Sequence, residues 1–318
     1  MFKAKHLNEI RSFMEKQGVP GQDAYNLPDS PLTFADGAHY RIEIAGIERL
    51  SNFKAMLDEA KKEKLPVHRA ICTVGGSTYL PFQEMKDLAK IALDNQVELV
   101  MVVGHRKSWD VGAKESGFPE GVPQGPRHRG SENMSYWIED MMRCLEAGLR
   151  GFLVFDEGLL KLLSQMRTEG FIPKETFFKW SVFGGQCSPA GAKLLEELGA
   201  DTMNPISDVS LPILGSIRQA VKMPLDVYMI IVDSFGGHYR AYDAPEVARV
   251  AAPVYFKIEP GTSEANIYKP WITEASHDDL VRAKVRISAI LREVVERRHP
   301  NLILSKDGPK DLTMTCVS

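Results

Sequence analysis

Eight short apolar runs recur along this chain, each ending in polar or charged residues and each followed by a Gly- or Pro-containing turn and a helical pattern. They read HYRIEIAG, VHRAICTVGG, ELVMVVGHR, GFLVFDEG, TFFKWSVFGG, ADTMNPIS, PLDVYMIIVD and PVYFKIEPG. Alternating strand–helix units at this spacing predict a parallel sheet, and eight of them predict a closed (β/α)8 barrel of the TIM type. Such a barrel does its chemistry at the C-terminal ends of its strands, so the polar run-ends mark the place to look.

The barrel is expected over residues 37–300. Residues 1–36 form an N-terminal helical extension, with Leu7, Ile10, Phe13 and Met14 on one apolar face, followed by a Pro/Gly/Asp-rich linker. The helix is suited either to plug the bottom of the barrel or to pack on a partner subunit. Residues 301–318 lose periodicity and read as a peripheral tail. Helix starts are signalled at Ser188-Pro189 and by capping-box patterns at Asp243/Glu246 and Ser276/Asp279; helix stops are signalled at Gly148, Gly170 and Gly199. Between the third strand and its helix lies a Gly-, Pro- and Arg-rich connection of residues 105–130, the length of a lid or binding loop.

A net charge of −3 gives no electrostatic case for nucleic acid or an anionic membrane, and no apolar run has the length of a membrane span. The charged, amphipathic N-terminus is not a secretory signal, and Cys72, Cys144, Cys187 and Cys316 lack CxxC spacing. The expectation is a cytoplasmic protein with free thiols, no iron–sulfur cluster, and a small-molecule or peptide substrate as its partner. A homo-oligomer is expected on the habit of barrel enzymes alone.

Strand parity sorts the polar residues. Arg41 and Glu43, Lys179 and Ser181, Asp226 and Tyr228, and Lys257 and Glu259 share parities whose alternates are apolar. A charge facing the helix layer would be unpaired at a cost of several kcal/mol, so this parity should face the lumen. Two readings follow: an ion-pair network that holds the barrel in register, or a pocket for an anionic or carbonyl-bearing molecule. In the second, Glu43, Lys179, Lys257 and Glu259 are the catalytic candidates, with carboxylates moving protons and lysines holding an anion or forming a Schiff base. Arg41, His68, His105, Arg106, Ser181, Asn204 and Tyr228 are candidates for substrate contact.

Acidic and imidazole groups at strand ends could instead gather a divalent Mn, Mg or Zn, with Asp156, Glu157 and His238 the candidate ligands beside Asp233. Gly75-Gly76, Gly184-Gly185 and Gly236-Gly237 allow close backbone approach by an anion. Neither a Walker loop nor a GxSxG elbow is present.

Several segments, among them FADGAHYRIEIAGIE, LPVHRA, VVGHRKSWDVGA, GFLVFDEGLL, LLEELGADTMNPISDVSLPILGSIRQAV and the Asn-Ile-Tyr of EANIYKPW, resemble a bacterial group labelled collagenase-like peptidases (peptidase family thirty-two). The resemblance spans about residues 33–270 and implies a barrel with a hydrolase label of unassigned mechanism. The cysteine-rich signature of the better-studied members has no counterpart here, so no catalytic residue is carried over. The family label makes a peptidase-like hydrolase the leading expectation. A lyase, aldolase or isomerase acting on a small anionic metabolite is the second, and a non-catalytic ligand-binding barrel the third.

Overall fold

The computed structural model describes residues 7–72, 77–104, 127–261 and 274–317. Eight parallel strands close on themselves in chain order: β1 Tyr40–Ala45, β2 Arg69–Cys72, β3 Glu98–Met101, β4 Gly151–Val154, β5 Phe177–Trp180, β6 Thr202–Met203, β7 Leu225–Ile230 and β8 Val254–Ile258. The closing pair sets Glu43 opposite Lys257, and the next pair sets Glu43 opposite Arg69. The (β/α)8 barrel expected from the eight runs is thus observed.

Around the sheet lie α1 Asn8–Lys16, α2 Leu50–Glu63, α3 Phe82–Asp94, α4 Gly130–Glu146, α5 Glu157–Thr168, α6 Pro189–Leu198, α7 Leu211–Ala220, α8 Ala244–Val250 and α9 Glu274–Arg298. Strand alternation builds two compartments. Ile42, Ile44, Leu99, Met101, Phe152, Val154, Phe178, Trp180, Val227, Met229, Phe256 and Ile258 point outward and merge with the helices into one apolar core. The opposite parity fills the lumen. Its β1–β5 side is apolar near the top (Ala45, Ile71, Val100, Leu153) and its remaining side is charged.

Local signals account for most helix ends. Ser188 accepts from Gly191 N at 3.0 Å and Pro189 occupies the first turn of α6. Gly148, Gly170 and Gly199 adopt the positive φ that ends helices. Two capping boxes do not form. Asp243 turns to Arg240 at 3.3 Å while Glu246 pairs with Arg249, and α9 begins at Glu274, which places Ser276 inside the helix. In both places an arginine or an earlier helix start competes with the cap.

The bottom of the barrel is closed by the C-terminal tail, not by the N-terminal helix. Leu304 bridges to Tyr40 in parallel, Thr313 N donates to Glu98 Oε1 at 2.9 Å, and Cys316 N donates to Gly148 O at 2.8 Å. The expected peripheral tail is therefore a structural strap. Helix α1 instead lies outside, tethered where Lys193 Nζ donates to Gln17 O at 2.6 Å, with Ile10 and Phe13 exposed. Among the described residues no helix is long and apolar enough to cross a membrane.

Candidate functional site

Midway up the lumen, three cations face three carboxylates. Arg69 Nη1 donates to Glu43 Oε2 at 2.9 Å and to Asp226 Oδ1 at 2.8 Å, and its Nε contacts Glu98. Lys179 Nζ lies 3.0 Å from Glu43 Oε2 and contacts Asp226 Oδ2, while Lys257 Nζ donates to Glu43 Oε1 at 3.1 Å. The Arg69 guanidinium also stacks 3.7 Å over the Tyr255 ring. All six charges are buried, which is tolerable only because each finds an opposite partner.

The electrostatics follow from that packing. Burial alone would raise the Glu43 carboxyl, but Lys179, then Lys257 and Arg69, overcome it and hold Glu43 below the usual carboxylate range. Burial pulls Lys179 below the ordinary lysine value; Asp226 and Glu43 oppose the shift and the cations Lys257 and Arg69 add to it. For Lys257 burial acts the same way, yet Glu43 and Glu259 outweigh it and keep the ammonium above its ordinary value.

One tier higher, at the carbonyl ends of β7 and β8, the lumen is no longer fully paired. Tyr228 Oη donates to Glu259 Oε2 at 2.8 Å, and Lys257 Nζ stands 5.1 Å from the Tyr228 ring centroid. Burial, followed by the Glu259 charge, pushes the Tyr228 phenol well up, so it remains a proton donor. Glu259 Oε1 is buried and has no hydrogen-bond partner among the described residues. Lys257, Tyr228 and Glu259 are 3%, 4% and 4% exposed, whereas Lys179, Glu43 and Asp226 are fully enclosed, so the upper trio is the part of the charged lumen nearest the mouth.

The other candidates separate by height. Arg41 and His68, both candidates for substrate contact, lie at the N-terminal face, away from the catalytic strand ends, because β2 starts after His68 at Arg69. Arg41 Nε donates to Ser305 Oγ at 2.9 Å and its Nη2 to Asp311 Oδ1 at 2.6 Å. His68 Nδ1 accepts from Ile42 N at 3.0 Å, which leaves Nε2–H to donate to the carbonyl of Ser305 at 3.1 Å. Both residues fasten the strap.

Ser181 caps the turn after β5 by accepting from Phe183 N at 3.2 Å, and Asn204 Nδ2 staples β6 to β7 by donating to Asp226 O at 2.8 Å. His105, Arg106, the Gly75-Gly76 pair and most of the 105–130 loop lie outside the described residues. Gly236 and Gly237 take positive φ in the turn after β7.

The candidate metal ligands do not converge. Asp156 caps α5 by accepting from Leu159 N at 3.0 Å, and Glu157 pairs with Arg127 and accepts from Gln186 Nε2 at 3.2 Å. His238 sits in the turn after β7, its imidazole lowered by burial and by Arg240. Among the described residues no group of three or more His, Cys, Asp or Glu side chains is placed to hold a metal ion.

Two lumen residues and one outside it were missed by sequence reading. Arg69 and Glu98 share the polar parity of β2 and β3 and could have been found by the rule that found Glu43. Lys284 could not: it comes from α9, where no strand alternation marks it, yet its Nζ donates to Ala45 O at 2.6 Å at the carbonyl end of β1. Gly46, at φ +77, makes room, since a Cβ there would stand 2.4 Å from that nitrogen.

Compared with known sequence families and with curated proteins, the chain matches none. Among solved structures it is similar to the YdjI aldolase of Escherichia coli K12, at 14% identity and a TM-score of 0.45 over 81% of this chain and 90% of that one. It is similar to the U32 peptidase Mk0906, at 15% identity and a TM-score of 0.42 over 74% and 97% of the two chains. A D-psicose 3-epimerase from Clostridium cellulolyticum H10 matches at 12% identity and 0.44 over 80% and 99%. An aldolase, a peptidase and an epimerase match about equally well, so the likeness does not select a reaction.

Proposed function

We propose that the chain is an enzyme of the lyase, aldolase or isomerase kind that moves a proton on a small anionic, oxygen-bearing substrate held at the top of the lumen. The observation that carries this reading is Glu259, a buried carboxylate with one oxygen fixed by Tyr228 and the other without a partner among the described residues. An unpaired buried carboxylate oxygen is costly unless something completes it, and a general base needs such an oxygen. Lys257, kept charged by Glu43 and Glu259, is placed to stabilise negative charge that develops on a substrate oxygen. Tyr228 orients the base. Glu43 helps keep Lys257 charged from below, and Lys179, enclosed between Glu43 and Asp226, does not meet substrate; a Schiff base at Lys179 would first require its separation from both carboxylates.

The peptidase reading draws less support from the geometry. Burial, with Asp208 adding to it, pushes the Cys187 thiol up, away from the thiolate a cysteine peptidase needs. A purely binding barrel gives no reason to leave Glu259 Oε1 open. The test is solvent deuterium exchange, followed by NMR, at carbons next to the carbonyl of a panel of small 2-oxo and 2-hydroxy acids and their phosphates. Exchange by the wild type and its loss in Glu259→Gln support the reading. Exchange that survives in Glu259→Gln, or peptide cleavage with no exchange on any member of the panel, sinks it.

A further inference from the structure

Three charged side chains lie around the carbonyl ends of β1 and β8, and among the described residues each is held by one hydrogen bond. Glu259 is held by Tyr228 at 2.8 Å, Lys257 by Glu43 at 3.1 Å and Lys284 by Ala45 O at 2.6 Å. Glu259 attracts both ammonium groups, yet among the described residues no ion pair joins it to either of them. Opposite charges in a buried, low-dielectric place pair directly unless their anchors hold them apart around something else. Here the anchors do hold them apart. Among the described residues this leaves one carboxylate oxygen on Glu259 and two N–H groups on each lysine without a hydrogen-bond partner.

We infer that Lys284 is a second substrate-binding cation of this site, and that the open valences of Lys257, Lys284 and Glu259 together fit a small 2-hydroxycarboxylate. Its carboxylate lies between the two ammonium groups and its hydroxyl donates to Glu259 Oε1. The inference rests on the proposed function in sharing the site, and it adds the residue from α9 and the class of ligand. A lysine reaching over β1 from the outer helix layer costs desolvation and requires a glycine at position 46; a packing role alone would be met by an apolar side chain.

The groups around Lys284 give the site a pH signature. Burial lowers its pKa to about 8, with Glu259 after β8 and Glu48 after β1 opposing and Lys257 of β8 adding to the shift; His277 of α9 also feels its charge. A bound carboxylate favours the ammonium, so binding near pH 8 takes up protons and weakens as the pH rises above that value.

The experiment is a ligand-observed NMR titration with glycolate and with acetate, on the wild type, Lys284→Met and Lys257→Met, alongside calorimetry of the wild type in two buffers of different ionisation enthalpy. Expected are glycolate binding tighter than acetate, a loss of about tenfold or more in both variants, and proton uptake at pH 8. Glycolate binding that depends on Lys257 and not on Lys284 overturns this inference and leaves the proposed function standing. Binding indifferent to both lysines, or none by the wild type, overturns both. Should Lys284→Met fail to fold, the wild-type calorimetry decides: binding without proton uptake overturns the role of Lys284.

Discussion

Lys179 Nζ stands 3.0 Å from Glu43 Oε2 in the middle of the lumen, and neither side chain is exposed to solvent. With Asp226 on its other flank, Lys179 is the keystone of a charged layer that the barrel carries instead of the usual aliphatic one. The layer is self-neutralising, and removing one member leaves the others buried with an unmatched charge.

Glu43→Gln should therefore destabilise the fold by about 3–5 kcal/mol, because Lys179, Lys257 and Arg69 all lose their shared counter-charge. Since the folded-state pKa of Glu43 lies below the ordinary carboxylate value of 4.5, its contribution is full above that value and declines as the pH falls below it. Urea unfolding at pH 7 and at pH 3 checks this: wild type and variant should differ most at pH 7. Equal stability at pH 7 would show that the layer does not depend on Glu43.

Below it, His68 predicts a second pH dependence of separate origin. Burial, then the charge of Arg41, lowers its pKa from 6.5 to about 4, so the unfolded chain binds the extra proton first as the pH falls. Stability is unaffected by His68 above 6.5, falls between 6.5 and about 4, and is level again below. The shift corresponds to about 3 kcal/mol at most. In His68→Gln the slope of unfolding free energy against pH across this window should flatten; an unchanged slope would remove His68 as its cause.

The strap makes a mechanical prediction. Ending the chain at residue 304 removes Ser305 and Asp311 from Arg41 and Thr313 from Glu98, leaving a guanidinium and a carboxylate at an open barrel bottom. The melting temperature should fall by about 10 °C or more. A truncated protein that melts like the full chain would show that the tail is only draped over the barrel.

Gly46→Ala tests the approach of Lys284. The substitution forces a side chain into φ +77 and places a Cβ 2.4 Å from Lys284 Nζ, at a cost of about 1–3 kcal/mol in stability. Thermal unfolding of Gly46→Ala, alone and combined with Lys284→Met, should show the two changes to be non-additive, because shortening the lysine removes the clash. Strict additivity would argue that the two residues do not meet.

Strand alternation has a period of two and is local, so the chain alone determined the eight strands, the closed barrel and the inward direction of Glu43, Lys179, Asp226, Tyr228, Lys257 and Glu259. Arg69 and Glu98 obeyed the same alternation and were legible in principle. Height along the barrel axis was not legible, because it depends on the register between strands. Only the pairing of Glu43 with Arg69 and Lys257 sinks those charges beneath Tyr228 and Glu259. Nor could alternation say that residues 305 and 311 return to Arg41, or that Lys284 crosses 239 positions of sequence to reach Ala45. Those contacts join segments with no shared periodicity, and they arise only when the closed sheet brings its last helix and its tail back against its first strand.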